Sequence, residues 1–254
     1  MDPSIHALRQ YWTTNSNLSR RNALHVWNTY GQSWYSWVRD LLPKTGTVLE
    51  IGAGMGELWQ QPDHTLTGLD LVLTDFSPAM CDELRKIPGA VVKQCDAHHL
   101  PFDDASFDVV VANHMLYHLD NPDAAVAQFS RVLRPGGRVF IALNGEDHLP
   151  ELFQVGAAIG RSSTIKSQAR VNIDTAPALL NKYFVDVQSE RAPHSFAVPD
   201  ARPVLDYLST VGDDGPLSVE EEEKVRSIVE PVIGEKGRFH IGSSIHLFTG
   251  TVAR

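Results

Sequence analysis

Cysteine is scarce in this sequence, and positive charge is in deficit. The two cysteines among 254 residues, Cys81 and Cys95, form neither a metal-binding pair nor a disulfide framework. Both read as packing residues of a protein kept in a reducing compartment. Lysine and arginine number 22 against 31 acidic residues, a formal net charge of −9. A field of that sign repels phosphate before any local patch can act, which excludes a general nucleic-acid or anionic-membrane surface and favours a small-molecule partner. Apolar runs of membrane-spanning length are also missing. The opening Met-Asp-Pro-Ser-Ile-His has neither the basic nor the apolar region of a signal peptide, so a soluble, cytoplasmic protein is expected. The length suits one large α/β domain with a sizeable core, with or without a small appendage.

What is present is a glycine-rich turn. Val48 to Ile51 is a short apolar run suited to a buried parallel strand, and Gly52, Gly54 and Gly56 follow it at once. Glycine so placed lets backbone pass close to a bound molecule. A dinucleotide fingerprint requires a third glycine three residues after the second, where Glu57 stands, so a nicotinamide-linked oxidoreductase is disfavoured. No Gly-Lys-Ser/Thr follows, which excludes a P-loop.

Strand and helix signals alternate from there. Thr65 to Thr74 reads as a strand ending at Asp75, 23 positions after Gly52, with Ser77-Pro78 opening a helix. A carboxylate at that interval suits hydrogen bonds from both ribose hydroxyls. Ala90 to Gln94 reads as a third strand, followed by Asp96, where a carboxylate can accept from an exocyclic amine. His98 and His99 next to it lack a third ligand at a metal-like interval, so no metal is expected. Phe107 to Ala112 reads as a central strand ending in Asn113-His114-Met115-Leu116-Tyr117-His118, and Arg138 to Leu143 as the next. Such alternation demands a parallel sheet with right-handed crossovers and a ligand outside the strands' carboxyl ends.

Taken together, Val48–Gly56, Thr74–Met80, Asp96-Ala97 with Leu100–Phe102, Ser106–Ala112 and Val132–Gly137 make the chain resemble the class I S-adenosylmethionine-dependent methyltransferases. The resemblance spans about residues 45 to 145 and lies in the small-molecule branch typified by ubiquinone- and menaquinone-biosynthesis enzymes. It implies a Rossmann-like seven-stranded mixed sheet with helices on both faces and S-adenosylmethionine as cofactor, released as S-adenosylhomocysteine. The implied donor site has Gly52, Ala53 and Gly54 at the methionine part, Asp75 at the ribose, and Asp96 and Ala97 at adenine. Phe76 and Met80 would pack near that ring, the Asn113 carbonyl would face the amino group, and Glu50 would orient the turn or reach the ammonium through water.

The acceptor is expected over the loops after the fourth and fifth strands. Candidates for catalysis are His114, Tyr117, His118 and Glu146, with Asn144 and His148 beside them. Residues 1–43 read as an N-terminal helical lid, with a helix from about Leu18 to Tyr30 closed by Gly31 and a second from Trp34. Most of its aromatics read as cover for the sheet, with Tyr11 over the donor and Tyr30 over the acceptor, since an aromatic face suits a cation. Residues 44–254 would form the catalytic domain, with substrate-covering segments at about 145–172 and 190–217. Arg21 and His25, one helical turn apart, with Arg238 and His240, can gather around an anionic acceptor such as an isoprenoid diphosphate. A non-catalytic S-adenosylmethionine-binding regulator is the alternative; the nucleophile and the oligomeric state are left open.

Overall fold

The computed structural model describes residues 16–62, 65–161, 170–211 and 215–254. Nine strands are described: β1 (Gly46–Ile51), β2 (Leu69–Asp75), β3 (Val91–Gln94), β4 (Phe107–Asn113), β5 (Leu133–Asn144), β6 (Val185–Arg191), β7 (Ser195–Val198), β8 (Phe239–Gly242) and β9 (Ile245–Thr251). Seven form one mixed sheet in the order β3-β2-β1-β4-β5-β9-β6. The first five run parallel, while β9 is antiparallel to both β5 and β6. The chain travels outward from β1 through β2 to β3 and then returns to β4, so the carboxyl ends of β1 and β4 flank the switch point where such sheets bind ligands.

The alternation of side chains across the sheet divides the core. On β4, Val110 and Ala112 face one apolar cluster and Val109 and Val111 the other, and β5 splits likewise, with Ile141 on one side and Phe140 on the other. Helices α3 (Pro78–Leu84) and α4 (Pro122–Val132) begin as their sequences dictate. Ser77 and Asn121 cap their first turns by accepting from Met80 N–H and Ala124 N–H, each with proline next in line.

Two expectations change. The helix anticipated from Leu18 to Tyr30 is α1 (Ser16–Asn22) followed by a 3₁₀ turn, Ala23–Trp27. The turn ends at Asn28, whose side chain donates to the Gln32 carbonyl and accepts from Tyr30 N–H, a local alternative to helical bonding. The stretch from Phe239 to Thr249, which the sequence suggests as one final strand, breaks at Ser243-Ser244: β9 enters the main sheet, but β8 pairs with β7 in a separate two-stranded sheet.

That small sheet and the helices α5 (Pro150–Ala158), α7 (Arg202–Leu208) and α8 (Val219–Lys236) enclose a third apolar cluster containing Leu149, Leu152, Phe196, Leu208 and Ile241. The stretches expected to be turn-rich cover therefore carry structure of their own. Arg161, 3% exposed, anchors them by a two-pronged bond to Glu221, which also completes the capping box of α8 with Ser218. Helices α2 (Trp34–Leu41) and α6 (Ala176–Leu180) cover opposite faces of the main sheet.

Candidate active site

A single cavity of about 600 Å³ opens at the switch point, with walls from the main sheet at one end and from the third cluster at the other. At the sheet end, Gly52 leaves β1 with φ +67°, and a Cβ added there would sit 2.8 Å from the Cβ of Met115. Only glycine meets both conditions. Gly54 N–H donates to Asp75 Oδ2 at 3.0 Å and Ser77 N–H to Asp75 Oδ1 at 2.8 Å, so the carboxylate at the end of β2 fastens the glycine turn to the start of α3.

This end is acidic and dry. Burial raises the pKa of Asp75 and Glu57 and pushes Glu50 up to about 8, although the Trp59 indole donates to Glu50. Three desolvated carboxyls, none of them in a direct salt bridge to arginine or lysine among the described residues, are a receptor for positive charge. The amide of Asn113, also on the wall, has both Oδ1 and Nδ2 buried and approaches Glu50 closely enough to lower that carboxyl's pKa, though neither atom completes a bond of normal geometry. Asp96 lies beyond β3, its pKa lowered because, although burial opposes it, it accepts from His98 N–H at 2.9 Å and from His98 Nδ1 at 2.6 Å. The far side of that imidazole reaches Asp120 at 3.1 Å, tying the loops after β3 and β4 together.

The other end is largely aromatic and apolar, with Arg21 and Glu146 its charged wall residues. His114 follows β4 in the left-handed region, φ +54°, with its N–H bonded to the Ala142 carbonyl. Burial depresses its pKa to about 4, and His25 lies at about 4 for the same reason. The Trp34 ring stands 5.4 Å from that of His114, and Phe196 packs edge-on to His25 at 5.4 Å. Tyr35 is buried, its hydroxyl pushed well above its usual pKa by burial and then by Glu57 and Glu50.

Residues 49–141 match the family model described as a methyltransferase domain. An uncharacterized methyltransferase of Mycobacterium tuberculosis is 38% identical over 124 residues, 48% of this chain and 50% of that protein. A ubiquinone/menaquinone biosynthesis C-methyltransferase of Desulfotalea psychrophila is 32% identical over 99 residues, 38% of this chain and 40% of that protein. These matches support a class I S-adenosylmethionine-dependent methyltransferase domain over residues 49–141. The chain spans about half the length of the mycobacterial relative. A crystal structure of an S-adenosylmethionine-dependent methyltransferase from Thermotoga maritima, described as a possible histamine N-methyltransferase, shares the fold, with a TM-score of 0.59 at 17% identity over 98% of this chain and 99% of that one.

The cofactor of these methyltransferases is S-adenosylmethionine, and the acidic end fits it: a cationic nucleoside finds buried carboxyls, a close backbone approach at Gly52 and the Asn113 amide on the wall. Among the described residues, no group of three His, Cys, Asp or Glu side chains is arranged to hold a metal ion. No helix described is long and apolar enough to cross a membrane.

The cavity brings together most residues singled out in the sequence. Glu50, Gly52, Ala53, Gly54, Asp75, Phe76, Met80, Asp96, Ala97 and Asn113 line its sheet end. His114, Tyr117, His118, Glu146, Arg21 and His25 line the remainder, and Asn144 and His148 join them. Tyr11 lies outside the described residues. Three expected acceptor contacts are not on the wall: Tyr30, 47% exposed, stacks beside His194, Arg238 donates to the Ala197 carbonyl, and His240 takes the outer side of β8. The departure of β8 from the main sheet carries the last two away. Arg21, though on the wall, donates from Nε to Thr210 Oγ1 and from Nη2 to the Thr210 carbonyl.

Sequence reasoning passed over Trp34, Tyr35, Glu57 and His98 as wall residues. The first two sit on an amphipathic helix whose pattern explains them as sheet cover. Glu57 counted only as a missing glycine, and His98 only as a metal candidate. Only the position of Glu57, one turn beyond the glycines, carried a signal.

Proposed function

We propose that this protein transfers the methyl group of S-adenosylmethionine to a small, uncharged acceptor held at the aromatic end of the cavity. The observation that carries the reading is the continuity of one cavity from an acidic cradle to a largely aromatic and apolar chamber. Its volume falls in the ~300–1,000 Å³ range of small-molecule sites.

When bound, the donor supplies an activated methyl group on a sulfonium. The chain's work is then to hold, align and exclude water. Gly52, Ala53 and Gly54 give the donor's amino-acid part room, and Glu50 with Glu57 supplies negative potential. Asp75 takes the ribose hydroxyls; Asp96 and Ala97 take the adenine edge, with Phe76 and Met80 against the ring. The Asn113 carbonyl takes the amino group.

An anionic acceptor such as an isoprenoid diphosphate is less well supported. Arg21 is committed to Thr210, Arg238 and His240 face elsewhere, and His25 and His114 stay neutral at physiological pH. A regulator that merely bound the donor would have no need of a chamber beyond it. The test is a broad screen of metabolites with S-adenosylmethionine, monitored by formation of S-adenosylhomocysteine, alongside calorimetry of the donor alone. Micromolar donor binding and product with a neutral acceptor are expected. Donor binding with no product across the panel would leave the regulator, and no donor binding would sink both readings.

A further inference from the structure

The aromatic end contains buried polar atoms that complete no hydrogen bond of normal geometry among the described residues. Trp34 is 1% exposed, yet its indole N–H, which can only donate, has no hydrogen-bond partner among the described residues. His114, half-buried and with its ring 5.4 Å from that of Trp34, has a buried Nδ1 that likewise completes no hydrogen bond of normal geometry. Asn144, at the end of β5, faces His114 as a loose side-chain hydrogen-bond partner that raises the imidazole's pKa against burial, but its Oδ1, which can only accept, completes no bond of normal geometry. All three residues line the cavity. Native proteins rarely strand buried polar atoms, because each costs about 1–3 kcal/mol.

The mixture of donor and acceptor selects the ligand. A carboxylate or phosphate offers acceptors alone and would leave the Asn144 oxygen facing negative charge. An ammonium offers donors alone and would leave the indole N–H facing positive charge. A neutral amine has one lone pair, which it cannot both give to the indole and use in attack. A hydroxyl offers one proton, which the His114–Asn144 pair can take as a unit, and two lone pairs, one for the indole N–H and one for attack.

We infer that the acceptor's reacting group is a hydroxyl on an apolar, ring-sized body, held by the Trp34 indole N–H and by the His114–Asn144 pair. This assignment rests on the methyltransferase reading and deepens it. In the transfer, one oxygen lone pair forms the O–CH₃ bond as the C–S bond breaks, and that bond's electron pair leaves with sulfur, which becomes an uncharged thioether. His114, neutral and close to the fourth strand's end, takes the hydroxyl proton and passes it to water. The walls around the body are Leu24, Leu149, Phe153, Phe196 and Val211, which hold no charge.

Matched probes test this without requiring turnover. Naphthalene, 1-naphthol, 1-naphthoate and 1-naphthylmethylamine are titrated at pH 7 into protein saturated with S-adenosylhomocysteine, by calorimetry or tryptophan quenching. 1-Naphthol is expected to bind at least tenfold tighter than either charged probe and several-fold tighter than naphthalene. In Trp34→Phe the 1-naphthol preference over naphthalene should fall at least threefold while naphthalene itself binds within twofold of wild type. His114→Asn, whose side chain tolerates the left-handed backbone, gives the same reading should the tryptophan variant fail to fold, and retained S-adenosylhomocysteine affinity certifies either variant. The hydroxyl assignment is overturned if 1-naphthoate or the amine binds as tightly as 1-naphthol, if 1-naphthol gains nothing over naphthalene, or if the folded variants keep the full preference. Failure to hold S-adenosylhomocysteine at all would instead strike the methyltransferase reading.

Discussion

The indole N–H of Trp59 donates to Glu50 at 2.5 Å inside the acidic cradle, and the Arg39 guanidinium lies 4.8 Å over the same indole ring. The glutamate is 2% exposed, and burial outweighs that hydrogen bond, so its pKa rises to about 8. At pH 7 the empty cradle therefore holds a protonated Glu50, and a cationic donor favours its ionised form. Donor binding should release a proton, seen as a binding enthalpy that varies with the ionisation enthalpy of the buffer. Affinity should climb between pH 6 and pH 8, by at most about tenfold per unit, and level off above. Glu50→Gln should remove both the proton release and the slope; a slope that survives in this variant would exclude Glu50 as its source.

Asp75 spends both oxygens on backbone amides, Gly54 on one side and Ser77 on the other. Asparagine keeps the shape but turns an N–H₂ toward one of those N–H groups. Asp75→Asn should weaken S-adenosylmethionine binding tenfold or more, about 1.4 kcal/mol, and lower stability by about 1–2 kcal/mol. Calorimetry and urea melts measure the two separately. Unchanged donor affinity would remove Asp75 from the cradle.

Acid should loosen the aromatic chamber before it loosens the sheet. His114 has a folded pKa of about 4 against an ordinary 6.5, because burial disfavours its charged form. As pH falls, the unfolded chain takes up the proton first, so stability is intact above about 6.5 and is lost progressively down to about 4. The loss is on the order of 3 kcal/mol for this residue, and His25 acts in the same direction. Urea melts at pH 7 and pH 4.5 should differ by that amount, and His114→Asn should narrow the gap.

Arg161 and Glu221 join the loop after α5 to the start of α8, away from the cavity wall, and the bond holds the Glu221 pKa near 2. Arg161→Met leaves the glutamate without its partner and should cost about 3 kcal/mol, read as a lower melting temperature. Because the carboxylate's folded pKa lies below its unfolded one, wild type keeps this contribution above about pH 4.5 and loses it toward pH 2, whereas the variant lacks it throughout. Donor affinity should hold within twofold at 20 °C.

The sequence legibly encodes the donor half because each of its parts is local. Val48–Ile51 is apolar, the glycines follow directly, and Asp75 and Asp96 each terminate a strand, so position along the chain already fixes position around the crevice. The family resemblance supplied the sheet order that such local signals lack. The acceptor half is not local. Whether Phe239–Gly242 joins the main sheet depends on β7, some forty residues earlier, offering an edge, and no periodicity in either segment records that pairing. Arg238 and His240 were misplaced for this reason alone. Trp34 was hidden differently: a helix facing the sheet and a helix facing a ligand require the same apolar stripe, and Trp34 does both.

The third apolar cluster has a consequence for descent. Leu149, Phe196 and Val211 line the cavity from a core that the strands of the main sheet do not share. A lineage can therefore exchange these residues, and with them the molecule it modifies, while its nucleotide grip stays as inherited.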